Sequence, residues 1–224
     1  MIQTHLDALL VGTPRRLRDD GTDSTIAARK VVDAPVKLSQ TGFEGDRVAD
    51  PSVHGGIDKA VHFYPTEHYP AWRSDFCGGV VGNAELLGRL GAFGENLAAA
   101  GMTEDTVHIG DRFRIGTALV EISQGRQPCW KVDHHFQSKQ VMAMMITSGR
   151  SGYYFRVIEE GVVDPGAAIQ QVESGAAEWS VARTFQLLIG GGHKAANADA
   201  ALRDLSALST LAENWRARAL RLLG

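Results

Sequence analysis

Through the first 170 residues, apolar positions come in short runs, alternating or continuous, that glycine interrupts. Runs of this length bounded by turn residues predict strands. Seven stand out, at 2–11, 26–37, 60–64, 111–115, 118–123, 153–159 and 168–172. Many short strands with Gly-rich turns predict a mainly β fold, with a sheet closed into a barrel or sandwich. Helices are few in this region. Thr66 is placed to cap one that runs to Phe76, with Pro70 at the end of its first turn; Pro128 opens a second carrying Cys129, Val132, His135 and Phe136; a third spans 140–147.

After about residue 172 the apolar spacing switches to three and four. Ser180 caps a helix with Val181, Phe185 and Leu188 on one face, stopped by Gly190-Gly191-Gly192, and a second helix spans 197–205. Thr210-Leu211-Ala212-Glu213 reads as a capping box that opens a third helix running to Leu223. The change of period divides the chain into a β-barrel domain, 1–172, and a C-terminal three-helix subdomain, 173–224. Its apolar set of Phe185, Leu188, Leu202, Leu205, Leu211, Trp215 and Leu222 either packs on the barrel or serves as a docking or dimerisation element, which makes a homodimer one expectation.

Composition narrows the function. With 23 Lys and Arg against 26 Asp and Glu, the net charge of −3 offers no basic face for nucleic acid. The longest apolar stretches, such as 141–146, fall far short of the roughly 20 residues of a membrane span. The first seven residues carry no basic region followed by an apolar run, so a secretion signal is not expected and a cytoplasmic protein is. The two cysteines, Cys77 and Cys129, are distant and in no CxxC spacing, which predicts two reduced thiols.

Several segments carry candidate chemistry. In Arg126-Gln127-Pro128-Cys129-Trp130-Lys131 a helix opened by Pro128 places Cys129 in its first turn, where free amides favour a thiolate and Arg126 and Lys131 add positive charge. That is an environment for a metal ligand or a nucleophile; a buried structural cysteine is the alternative. In His54-Gly55-Gly56-Ile57-Asp58-Lys59 the paired glycines expose successive amides and Lys59 offers a point charge, so the segment reads as an anion cradle or as a tight turn before a strand. Phe93-Gly94-Glu95-Asn96 ends on an amide that can donate and accept at the edge of a heterocycle, or forms an Asx turn. Thr41-Gly42-Phe43-Glu44-Gly45-Asp46 is a turn with two carboxylates. The histidines His62, His68, His134 and His135 make neither HExxH nor a Cys/His zinc set, and no GxSxG anchors serine hydrolase chemistry.

Taken in order, Gly42-Phe43-Glu44-Gly45-Asp46, His54-Gly55-Gly56-Ile57-Asp58-Lys59-Ala60-Val61, Tyr64-Pro65-Thr66-Glu67-His68-Tyr69, Phe93-Gly94-Glu95-Asn96-Leu97 and Arg126-Gln127-Pro128-Cys129-Trp130-Lys131 resemble a MOSC domain, the domain found at the C-terminus of molybdenum cofactor sulfurases. The resemblance is closest to the stand-alone bacterial hydroxylaminopurine-resistance branch, the YiiM type, which also carries a three-helix tail. It implies a β-barrel holding a molybdenum pyranopterin cofactor, with Cys129 as the ligand to molybdenum. It also implies that Lys59, Arg126 and the amides near His54, Gly55 and Gly56 meet the cofactor phosphate, that Asn96 meets the pterin edge, and that Phe93, Gly94, Glu95 and Lys131 belong to the same cofactor-binding set. Some relatives have Arg where this chain has Lys59. The domain-level association with pyridoxal phosphate is set aside.

The activity implied is molybdenum-dependent reduction of N-hydroxylated compounds such as hydroxylaminopurine base analogues. No CxxC, haem motif or flavin fingerprint is present, so an external reductase is the expected electron donor. The alternatives are a persulfide sulfur carrier on Cys129 and a non-catalytic module that binds or delivers the cofactor.

Overall fold

The computed structural model describes residues 1–224, with the side chain of Ser52 left out of the description. The strands are β1 (Gln3–His5), β2 (Ala8–Val11), β3 (Arg15–Arg16), β4 (Asp23–Ser24), β5 (Lys30–Val31), β6 (Val36–Ser39), β7 (Gly42–Phe43), β8 (Val61–Pro65), β9 (Leu97–Ala99), β10 (Arg112–Ile115), β11 (Ala118–Gly125), β12 (Tyr153–Glu159), β13 (Gly161–Val163) and β14 (Ala168–Glu173). The helices are α1 (Pro51–His54), α2 (His68–Cys77), α3 (Trp130–His135), α4 (Val141–Ser148), α5 (Val181–Leu188), α6 (Ala198–Ala207) and α7 (Glu213–Leu223), with short 3₁₀ turns between them.

Nine strands form one sheet in the order β1-β14-β10-β11-β12-β8-β9-β2-β5, antiparallel throughout except for the parallel pair of β8 and β9. Among the described residues its two end strands, β1 and β5, are not paired with each other. The ladders therefore describe a mixed, sheet-dominated fold with several helices, without the closure that a barrel requires. The N-terminal segment, expected as one strand over 2–11, breaks where Leu6 donates to the Ala167 carbonyl and Asp7 to that of Ala98, so each half serves a different neighbour. The strand expected at 26–37 is replaced by a 3₁₀ turn at Ile26–Ala28, then β5 and β6. Ile26 packs into the second apolar cluster, and Pro35, which has no amide to donate, separates β5 from β6.

Two apolar clusters lie on opposite faces of the sheet's central strands. Cross-strand partners share a face. Tyr153 opposes Phe63, which opposes Leu97, and all three enter the larger cluster, which continues into Phe185, Leu188, Leu202, Leu205, Leu211 and Trp215 of the tail. The apolar set read from the sequence thus packs on the sheet. The second cluster gathers Tyr64, Tyr69, Trp72, Phe76, Phe93, Val132, Phe136 and Met145 beneath α2, α3 and α4. Its residues on α2 fall at helical spacing on one face. The helix begins at His68, two residues after the expected Thr66 cap, so Pro70 sits in the first turn, where a missing amide costs nothing.

Two other helix starts differ from expectation. Helix α3 begins at Trp130, so Cys129 is its N-cap residue, in extended backbone, and lies outside the first turn. Helix α7 begins at Glu213 after Ala212, without the predicted capping box. The Thr210 hydroxyl is buried without a partner; the Ala212 amide donates to Ser123 of β11 (2.9 Å), and the Glu213 amide to the Asp58 carboxylate (3.3 Å). Docking on the sheet outcompetes the local cap. Among the described residues no helix is long and apolar enough to cross a membrane.

Candidate functional site

A cavity of about 320 Å³ opens beside the edge of the second cluster, where β11 ends, α3 begins and the loop around α1 returns to the sheet. This volume lies within the usual span of small-molecule sites. Cys129, His54, Gly55, Gly56, Lys59, Phe93, Gly94, Asn96, Arg126 and Lys131 all line it. Residues up to 77 positions apart in sequence are therefore brought to one wall, as the ordered motifs require. Glu95 is the exception. It is fully buried and off the cavity, its carboxylate accepting from the Tyr69 hydroxyl (2.5 Å), the Gly91 amide (2.6 Å) and the Phe93 amide (3.1 Å). Glu95 closes the loop that presents Phe93; it does not face a ligand.

Asn96 lines the cavity but has no hydrogen-bonding capacity left for a heterocycle. Its carbonyl accepts from the His62 amide (3.1 Å) and from Arg29 Nη2 (3.4 Å), and its NH₂ donates to the Leu10 carbonyl (3.2 Å) and Asp46 Oδ2 (3.0 Å). Two lone pairs and two protons are all an amide has. Arg29 also donates to the Gly94 carbonyl (2.9 Å) and pairs with Asp46, whose Oδ1 accepts from the Gly12 amide (2.8 Å) as well. Arg29, Asp46 and Asn96 form a closed, neutral floor.

Above that floor the charge is positive. Among the described lining residues Lys59, Arg126 and Lys131 are cations without a carboxylate partner, since Asp46, the lining carboxylate, is matched by Arg29. Lys59 Nζ donates to the Val53 carbonyl (2.6 Å) and Lys131 Nζ to that of Asp23 (3.1 Å), which leaves each ammonium two protons for a ligand. Burial lowers the Lys59 ammonium against the opposing pull of Asp58. Burial, then the Lys131 and Arg126 charges, lower His54, so its imidazole is neutral at pH 7. Gly56 has φ +98°, a conformation that favours glycine, and nothing stands within 4 Å of where a Cβ would be, so its backbone borders open space.

Sheet register brings two further side chains to the wall. Gln124 opposes Tyr154, which opposes His62, on β11, β12 and β8. The rings of His62 and Tyr154 lie 5.2 Å apart. Burial raises the Tyr154 phenol against the opposing pull of Arg126 and Arg29. His62 is held well below its ordinary value, first by burial and then by Arg126, and its Nε2 is buried without a hydrogen-bond partner. The sequence reading missed Arg29, His62 and Tyr154 as lining residues. Asp46 lay in a noted motif, and the alternation of β8 and β12 was the available signal for His62 and Tyr154; Arg29 had none.

Cys129 is half-buried on this wall. The six residues of α3 align too few peptides for a sizeable dipole, so the positive charge on this wall comes from the side chains of Lys59, Arg126 and Lys131. Among the described residues no three His, Cys, Asp or Glu side chains cluster as a metal cage. A metal held here therefore depends on a ligand set that is mostly not protein.

The MOSC domain family matches residues 50–170, more than half of the chain and most of the cavity wall. The chain belongs to the MOSC family. This MOSC chain is 42% identical to the Bacillus subtilis protein YflK, described as uncharacterized, over 94% of its own length and 90% of that protein's. It superposes on the crystal structure of YiiM from Geobacillus stearothermophilus with a TM-score of 0.78 at 30% identity, covering 99% of this chain and 100% of that one. It is also 37% identical to a Gibberella moniliformis protein named reductase, over 66% of this chain and 26% of that much longer protein.

Proposed function

We propose that the cavity holds a molybdenum pyranopterin with Cys129 as its protein ligand, and that the chain uses it to reduce N-hydroxylated compounds. The MOSC domain takes its name from molybdenum cofactor sulfurases, and one relative is named a reductase. The observation that carries the reading is one half-buried thiol on a cavity wall that also carries three cations making no salt bridge among the described residues. A phosphate-bearing dithiolene cofactor needs this combination: an anionic tail to neutralise, and one protein donor to complete a metal coordinated mainly by its own sulfurs.

When bound, the cofactor supplies a two-electron store and an acceptor for oxygen. The chain's own residues bind and orient. Lys59, Arg126 and Lys131 meet the phosphate as charges, and the backbone at Gly55 and Gly56 allows its close approach. Ile26, Phe93 and Val132 supply apolar wall that excludes water. Neutral His54 is free to donate or accept a hydrogen bond. The overall conversion takes R–NHOH, two electrons and two protons to R–NH₂ and water, so an external reductase must supply the electrons.

The test is turnover of a hydroxylaminopurine by the cofactor-loaded chain with a chemical reductant, in wild type and Cys129→Ser. Amine formation by wild type and its loss in the variant are expected. Unchanged turnover in the variant overturns the ligand assignment. No turnover, with a one-sulfur mass increase on Cys129 after incubation with a cysteine desulfurase, identifies a persulfide carrier instead.

A further inference from the structure

We propose that Glu104, which does not reach the cavity, is a positioning residue that fixes the Cys129 loop through the turn at Ser151 and Gly152. Glu104 is 4% exposed, and both of its oxygens are engaged. Oε2 meets His68 Nε2 at 2.7 Å. Oε1 accepts from the Gly152 amide at 2.7 Å and from the Ser151 amide at 3.1 Å, the latter shared with the Gly149 carbonyl. The turn then grips the chain leading to the thiol from both sides. The Ser151 hydroxyl donates to the Arg126 carbonyl (2.5 Å), and the Arg126 amide donates to the Gly152 carbonyl (2.9 Å).

Both backbone polar groups of Arg126 are thus set by a turn whose own amides answer to one buried carboxylate. Pro128, with its fixed φ, stands between Arg126 and Cys129 and transmits that placement over few free dihedrals. The turn has no room to yield toward the sheet. Gly152 has φ +74°, and a Cβ there would lie 2.4 Å from the Phe63 carbonyl oxygen. The Arg150 carbonyl beside it accepts from the Tyr64 hydroxyl (3.2 Å). The bonds to Glu104 fix the two amides of the turn. Buried networks of this kind set geometry because leaving any member unpaired is costly.

The functional consequence, a thiol held toward the cavity, rests on the reading of Cys129 as cofactor ligand; the hydrogen-bond chain itself does not. Chemistry predicts an informative pattern of variants. In Glu104→Gln the amide carbonyl still accepts from both turn amides, and its NH₂ donates to His68 Nε2 in the other tautomer, so the chain of bonds survives without charge. Glu104→Ala removes it. Ser151→Ala removes only the grip on the Arg126 carbonyl and keeps the fold's volume.

The experiment measures alkylation of Cys129 by iodoacetamide in the full chain before cofactor loading, in a Cys77→Ser background that silences the exposed thiol. Glu104→Ala is expected to raise the rate about tenfold and to weaken molybdenum cofactor binding by roughly 10- to 100-fold. Ser151→Ala moves both in the same direction by less, and Glu104→Gln restores both. A tail variant such as Leu202→Ala, which lowers the stability of the shared core without touching the turn, is the control for general destabilisation and raises the alkylation rate less than Glu104→Ala does. Alkylation in Glu104→Ala and Ser151→Ala equal to the parent overturns the proposal, as does a Gln variant that behaves like Ala. If Glu104→Ala does not fold, Ser151→Ala decides. Failure of the parent to take up cofactor sinks the functional reading while the alkylation comparison still stands.

Discussion

Asn96, Arg29 and Asp46 answer to one another, and their mutual saturation leaves the cavity's net charge to Lys59, Arg126 and Lys131. The histidines add a pH dependence whose sign follows from burial. His62 is held well below its ordinary value of 6.5 by burial and then Arg126, and His135 is pushed down to about 4 by burial, then by Arg89 and His134. The unfolded chain takes up these protons as pH falls below 6.5 and the folded chain does not. Stability is therefore complete above 6.5 and declines as pH drops toward 4. Urea unfolding of wild type and His135→Gln at neutral and mildly acid pH checks this. The variant should lose less stability on acidification than wild type; an equal or larger loss contradicts the assignment.

Among the elements, strands with strong alternation were legible in the sequence and partner choice was not. The expected runs at 118–123 and 153–159 appear as β11, buried along its whole length, and β12, whose apolar alternation matches one buried face. The segment at 26–37 failed because tertiary partners divide it: Ile26 enters the second cluster, β5 pairs with β2, and β6 with β7 and β13. Of the candidate site, the glycine turns, the cations and Cys129 were readable, since their chemistry lies in short motifs. For His62 and Tyr154 the alternation of β8 and β12 gives a face, but only the ladder register brings the two to one wall. The start of α7 was misplaced for a related reason, its amides being claimed by β11 and Asp58. That docking predicts that the tail does not melt by itself. Trp215, 2% exposed and packed against Gly125 of β11, should on replacement by Ala cost about 3–5 kcal/mol and lower a single shared calorimetric transition. A second, separate transition in the variant would show the tail to be an independent unit.

At the scale of the whole molecule, a chain with net charge −3 lines one cavity with three cations that make no salt bridge among the described residues, on the wall that also carries Cys129, so the exception to its average charge marks the site. The larger apolar cluster runs from the sheet into the tail, and the wall carrying Arg126 and Cys129 is the end of a strand braced by that cluster on one side and by α2 and α3 on the other. Such a frame suits a rigid receptacle for a prosthetic group. The most direct test is the molybdenum content, by inductively coupled plasma mass spectrometry, of protein produced in cells that make the cofactor, for wild type and Cys129→Ser side by side. The account predicts close to one molybdenum per wild-type chain, with pterin fluorescence in proportion, and a marked loss of metal in the variant. Wild-type protein free of molybdenum, or a variant that retains as much as wild type, contradicts it.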